Sequence, residues 1–151
     1  LTSEIEKYGA MGIIFAVHLG SYHEVGGFDP KLTRLEDVDL GIRLKVAGYY
    51  LGSHHGVKAS HQNYSAGGLS VLEARGTEDK GLNKKRAREE RAKVIVEVLK
   101  KYPDWAFRVE SRGWLRWNTG ALEKLQRLYQ VGKIRCTTQG IVGDIMDSER
   151  R

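Results

Sequence analysis

The chain has 151 residues, 40% hydrophobic and 29% charged, with a formal net charge of +6. That length supports one domain with a real core rather than two, and the composition excludes an intrinsically disordered chain. The single cysteine, Cys136, excludes an intrachain disulfide framework and a cysteine-based zinc site, which suits a reducing cytosol.

The chain opens on Leu1, with no basic segment followed by an apolar h-region, so no signal peptide is expected and the chain reads as a fragment of something longer. Residues 12–17, GIIFAV, are a short apolar run that predicts a buried strand. The longest apolar run, residues 11–17, is far below the roughly 20 residues of a membrane span. Residues 19–25 predict a short helical turn closed by Gly26 and Gly27, with a loop from Phe28-Asp29-Pro30. From Leu35, the positions Val38, Ile42 and Val46, flanked by Leu40, Leu44 and Ala47, predict a helix with a broad apolar face, ended by Gly48. Its first turn carries three acids, Glu36, Asp37 and Asp39. Acids there cap free N–H groups and complement the helix dipole, so capping alone accounts for them unless a motif says otherwise. Short strands are predicted at residues 49–51 and 56–60, with His54-His55 between them and a turn-rich loop over 61–68.

The basic excess belongs to the second half. Residues 1–70 carry six Lys/Arg against seven Asp/Glu, and residues 71–151 carry nineteen against twelve. A helix is predicted over 84–101, charged at first, with an Arg86–Glu90 pairing one turn apart, and then apolar through Val94, Ile95, Val98 and Leu99 until Pro103 stops it. Trp105, Phe107, Trp114 and Trp117 suggest an aromatic core for this part rather than a sugar platform. Thr119 is placed to cap a helix over 120–130 carrying Leu122, Leu125 and Leu128, and the last dozen residues are expected to fray.

Taken together, Val25-Gly26-Gly27-Phe28-Asp29-Pro30, then Glu36-Asp37-Val38-Asp39-Leu40, Arg43-Leu44 and Ala47-Gly48-Tyr49, resemble the C-terminal half of a family 2 glycosyltransferase of the α/β, Rossmann-like GT-A fold. In that family a GGFD turn precedes an ED motif at a helix start, and the helix ends in AGY. His61 with Ser65 is similar to the family's later histidine-plus-serine loop. The resemblance covers roughly residues 10–68, each short piece being weak alone and the combination specific. It implies a division into residues 1–70, the C-terminal half of a glycosyltransferase domain, and residues 71–151, a basic, mostly helical extension.

The resemblance implies the chemistry as well. Sugar transfer from a nucleotide sugar needs a base for the acceptor hydroxyl and cationic help for the departing diphosphate. Asp37 takes the place of the base of an inverting displacement, and Glu36, Gly26, Gly27 and Asp29 stand where substrates are met. His61 takes the place of a ligand to a divalent metal, Mn²⁺ or Mg²⁺. The bare residues leave alternatives: Gly26-Gly27 also suits a plain helix C-cap, Asp29 an Asx turn, and Asp39 a structural pair with Arg43.

The family's nucleotide-binding half, with its metal-binding D-x-D, should lie ahead of these motifs; Asp37-Val38-Asp39 belongs to the later motif. The expectation is therefore a truncated reading frame, a second chain that carries the missing half, or a reused domain, with the isolated chain inactive as a transferase. Implied partners are a nucleotide-sugar donor and a glycan, lipid-linked or protein acceptor. The implied location is cytoplasmic, with peripheral membrane attachment as an option for lipid-linked acceptors. The competing expectation is a basic module that grips nucleic acid or an acidic glycan through the helix over 84–93, although Glu89 and Glu90 dilute its cationic face.

Overall fold

The computed structural model describes residues 15–52, 56, 80–110 and 115–145. Within them run α1 (Leu19–Glu24), α2 (Glu36–Val46), α3 (Lys80–Leu99), β1 (Phe107–Val109), β2 (Leu115–Trp117), α4 (Ala121–Gln130), β3 (Ile134–Thr137) and β4 (Gly140–Gly143). The strands form two antiparallel hairpins, with Phe107 opposite Trp117 in one and Ile134 opposite Gly143 in the other.

The centre of the fold is α2. Its apolar spacing predicts one buried face, yet every residue from 38 to 46 is buried. The reason is packing on several sides, because α4 and both strands of the β3–β4 hairpin lie against it. A helix enclosed this way must take its polar side chains inside too, and Asp39, Arg43 and Lys45 are buried with it. Around α2 the core gathers Val25 from the end of α1, Ile95 and Val98 from α3, Tyr102 and Phe107, Leu125 from α4, and Ile134 and Ile141 from the second hairpin. Full burial of such a side chain contributes about 1.5–3 kcal/mol. The core therefore takes residues from both sides of position 70.

Glycine closes three of the helices in the same way. At the end of α2 the Gly48 N–H donates to the Lys45 carbonyl at 2.9 Å and the Tyr49 N–H to the Leu44 carbonyl at 3.0 Å. This pair of bonds is a Schellman cap, and it needs the left-handed φ of 88° that Gly48 adopts. It also corrects the strand expected at 49–51: the Tyr49 N–H is already used by the cap, and these residues form no strand. The pattern recurs at Gly132 after α4, and at Gly26 after α1.

Other expectations change as well. Residues 15–17 form no strand, and residues 12–14 and 57–60, the rest of the expected strands, lie outside the described residues. Among the described residues after position 71, two antiparallel hairpins accompany the two helices, and the sequence did not announce them because strands of three or four residues are too short to register as a hydrophobic period. The expected fraying of the last dozen residues fails at its start, where the Ile141 N–H donates to the Lys101 carbonyl at 3.1 Å and ties β4 to the end of α3. Thr119 does not cap α4; Gly120 occupies the cap position, left-handed at φ 76° and without a side-chain bond. Glu90 pairs with Arg34 at 3.3 Å rather than with Arg86. Phe107 and Trp117 do pack, with ring centroids 4.2 Å apart, and Trp105 carries the Lys124 ammonium over its ring at 4.5 Å. Trp114 lies outside the described residues. Among the described residues no helix is long and apolar enough to cross a membrane.

The two capping glycines of α1 and α2 differ in what surrounds them. A Cβ at Gly48 meets nothing within 4 Å, whereas at Gly26 it comes within 2.7 Å of the Thr138 backbone nitrogen. Gly48→Ala should cost only the left-handed penalty of about 1–2 kcal/mol. Gly26→Ala should cost clearly more, since the β3–β4 turn must also move. Urea unfolding of the two variants checks this, and equal losses would show that the turn does not rest on Gly26.

Candidate functional site

The GGFD segment begins as the closure of α1. The Gly26 N–H donates to the His23 carbonyl at 3.1 Å and the Gly27 N–H to the Tyr22 carbonyl at 2.8 Å, with φ of 91° and 72°. A Cβ on Gly27 would lie 2.7 Å from the Tyr22 ring. The Tyr22 hydroxyl in turn accepts the Phe28 N–H at 3.0 Å. Helix closure and ring packing thus account for both glycines without a ligand. Asp29 follows, and its Oδ1 accepts the Lys31 N–H at 2.9 Å, an Asx turn that shapes the loop over 29–33.

The three acids of α2 have separate fates. Glu36 is exposed and Asp37 is half-buried, its Oδ1 accepting the Val38 N–H at 2.8 Å. Asp37 therefore satisfies a first-turn donor, as an acid in that position can under any function. Just before them Leu35 sits in the left-handed region at φ 59°, the one non-glycine residue among those described to do so. Leucine tolerates that conformation poorly, and its packing against the core holds it there. Asp39 points inward and is fully buried.

Asp39 sits in a closed set of charges. Its Oδ2 receives Arg43 Nη2 at 2.9 Å and Lys101 Nζ at 2.7 Å, and its Oδ1 accepts the Tyr102 hydroxyl at 2.6 Å. Lys101 Nζ reaches Asp29 Oδ2 as well, at 2.9 Å. Arg43 also donates to the Val25 carbonyl at the end of α1. Two carboxylates and two cations balance, which is what permits them in a dry interior. Burial opposes the charged form of Asp29, but the Lys101 hydrogen bond, the Lys31 amide and the lysine charges outweigh it and hold its pKa below the usual value. Burial, and then the Asp39 charge, push Tyr102 well above the ordinary tyrosine value, so its hydroxyl stays a donor. Cys136, beneath Arg43, is pushed up to about 12, chiefly by burial, and is an inert thiol.

A second polar group joins α1 to α4. Both Tyr49 and Tyr129 donate their hydroxyls to the Glu24 carboxylate, one to each oxygen. The Tyr129 bond and then the Tyr49 bond hold the Glu24 pKa below its usual value.

The structure thus brings together Asp29, the last residue of the GGFD turn, and Asp39 of the ED helix through one ammonium group. Glu36 and Asp37 stand at the head of that helix, while Gly26 and Gly27 are absorbed into a cap. His61 and Ser65, and also His54 and His55, lie outside the described residues. Among the described residues no three His, Cys, Asp or Glu converge to hold a metal. The residue that sequence reasoning missed is Lys101. Its partners are 62 and 72 positions away, and at the end of a charged helix it looks like an ordinary solvated lysine. Comparison of the chain with protein-family models, with curated proteins and with solved structures finds no match.

Replacing Lys101 by Met keeps the stem but strips two buried carboxylates of their shared cation. The loss should be about 3–5 kcal/mol, read by urea unfolding. The pH dependence has a definite sign. A carboxyl with a lowered folded pKa contributes stability that is complete above the unfolded value of about 4 and lost as pH falls through the lowered one. Without Lys101 that protection disappears, so acid unfolding followed by circular dichroism should begin at a higher pH in Lys101→Met than in the parent. An unchanged acid midpoint would remove Asp29 from this role.

Proposed function

We propose that the chain carries the acceptor side of an inverting, nucleotide-sugar-dependent glycosyltransferase of the family 2, GT-A kind, with Asp37 as the base. The observation that supports this most is the pairing of its two motif segments. Asp29 of GGFD and Asp39 of the ED helix share Lys101, so the turn and the helix start form one rigid unit, and Asp37 stands half-open at its head. In the proposed step the acceptor O–H proton passes to the Asp37 carboxylate while the acceptor oxygen bonds to the anomeric carbon. The bond from that carbon to the diphosphate breaks, and its electron pair leaves with the nucleoside diphosphate. Exposed Glu36 is proposed to bind acceptor hydroxyls.

The residues that read the donor are proposed to lie outside these motifs, in a longer chain or a second one. A divalent metal, Mn²⁺ or Mg²⁺, belongs to the same proposal and would assist the leaving diphosphate, with His61 near it. The described residues do not themselves assemble its ligands, and the role of Asp37 does not depend on it. The competing module for nucleic acid or acidic glycan has less support, since Glu89, Glu90 and Glu97 interleave with the basic residues of α3, a sequence of mixed charge rather than a cationic stripe.

Asp37→Asn tests the assignment, because the amide oxygen can still accept the Val38 N–H in the first turn. In the protein together with its donor-binding half, this variant should lower kcat by about 10²–10⁴, the usual worth of a general base, with an unchanged circular dichroism spectrum. Turnover within a few-fold of the parent would take Asp37 out of the base role.

A further inference from the structure

A cleft of about 440 Å³ opens between the loop over 29–33, the last turns of α3 and the β3–β4 turn. We propose that it binds a phosphate-bearing sugar-sized ligand. The inference shares Asp29 with the transferase proposal but does not depend on its base, because neither Glu36 nor Asp37 lines the cleft.

The charge balance carries the argument. Four lysines line the cleft, Lys31, Lys93, Lys100 and Lys101, against two carboxylates, Asp29 and Glu97. Both carboxylates are already engaged, Asp29 by Lys101 at 2.9 Å and Glu97 by Lys100 at 2.9 Å. Lys31 and Lys93 come from different elements, are exposed, and form no ion pair with a described residue. The cleft therefore has a cationic surplus contributed from two walls. No arginine lines it. Lysine ammonium groups act as point charges that bind phosphate oxygens without the fixed fork of a guanidinium, and two of them lining one cleft suit a doubly charged anion.

The remaining lining suits a sugar. Thr33 and Gln139 offer a hydroxyl and an amide for neutral hydroxyl groups, and Leu32 and Val94 offer apolar surface. The volume falls within the roughly 300–1,000 Å³ range of small-molecule sites.

The loop wall is also set in advance. The Lys31 and Leu32 N–H groups both bond to Asp29, to its side chain at 2.9 Å and to its carbonyl at 3.1 Å. Asp29 is in turn fixed by buried Lys101. The internal ion set thus holds the loop backbone at Lys31 and Leu32 in place, which reduces the ordering cost of binding.

The phosphate can belong to a free sugar phosphate or to a lipid-linked headgroup. The test is a titration of the full chain with glucose 1-phosphate and with inorganic pyrophosphate, followed by amide chemical shifts of residues 31–33, 93–94 and 139. Glucose is the neutral control, and vesicles containing a polyprenyl phosphate, followed by co-sedimentation, form a separate arm. The expected result is shifts confined to these residues with the anions and none with glucose, weakening as salt is added. The double variant Lys31→Ala/Lys93→Ala should lose affinity by about tenfold or more, while its circular dichroism spectrum stays that of the parent. Co-sedimentation with vesicles without shifts from the soluble anions supports the site and assigns the lipid source, provided the double variant abolishes it. Binding unchanged in the double variant, equal shifts with glucose, or no response to any probe would overturn the proposal. Asp37→Asn should leave the titration unaltered, so failure of the base assignment and failure of this site are separable.

Discussion

The ammonium group of Lys101 is the point on which the arrangement of the other parts depends. It is the one cation that both Asp29 and Asp39 share, and it lies at the end of α3, where its own carbonyl accepts the Ile141 N–H from β4. One residue thereby joins the turn after α1, the start of α2, the end of α3 and the second hairpin. Hydrophobic burial supplies most of the driving force for such a core, but it is non-directional and tolerates sliding. A closed set of two carboxylates, an ammonium and a guanidinium does not, because each shift of register leaves a buried charge unpaired at a cost of several kcal/mol. The apolar residues make the core favourable, and the ion set selects which face of α2 is turned toward Lys101.

The same set acts outward through Asp29. Its two oxygens do different things: one closes the loop over the Lys31 amide, the other takes the buried ammonium. A surface loop that carries lysine and threonine to the rim of a cleft is thus anchored to the interior by a single carboxylate. Asp29 belongs to the motif that first suggested a glycosyltransferase, yet what it touches here is the scaffold. That is consistent with a motif whose residues are needed for the shape of a site as well as for contact with substrate.

Much of the local structure was legible in the residues. The helix over 36–46, its end at Gly48, the closure at Gly26-Gly27, the Asx turn at Asp29 and the Asp39–Arg43 pair all follow from interactions within five positions of each other. What the sequence hid is non-local. All-round burial of α2 depends on α4 and the second hairpin, which arrive some 80 to 100 residues later in the chain. Lys101 and Tyr102 read as a solvated helix end because nothing nearby in sequence announces Asp39. The hairpins were missed because alternation over three residues carries almost no signal, and Thr119 because Gly120 can take the left-handed cap position itself. For the site, the separation of the three acids was only half legible: the Arg43 partner of Asp39 could be named, but not that Glu36 would be exposed and Asp37 half-buried.

Helical geometry accounts for the different surroundings of Asp37 and Asp39. Successive residues on an α-helix turn by about 100°, so positions 37 and 39 point about 200° apart. Once Asp39 is drawn to Lys101, Arg43 and Tyr102, Asp37 must face away from the core. The same geometry bears on the spelling D-x-D. On a helix this spacing sends the two carboxylates to opposite sides, so Asp37 and Asp39 cannot close on one cation, and the oxygens of Asp39 are already occupied. In this segment the pattern marks one acid committed to the fold and one on the opposite side of the helix, where it accepts a hydrogen bond from the first turn.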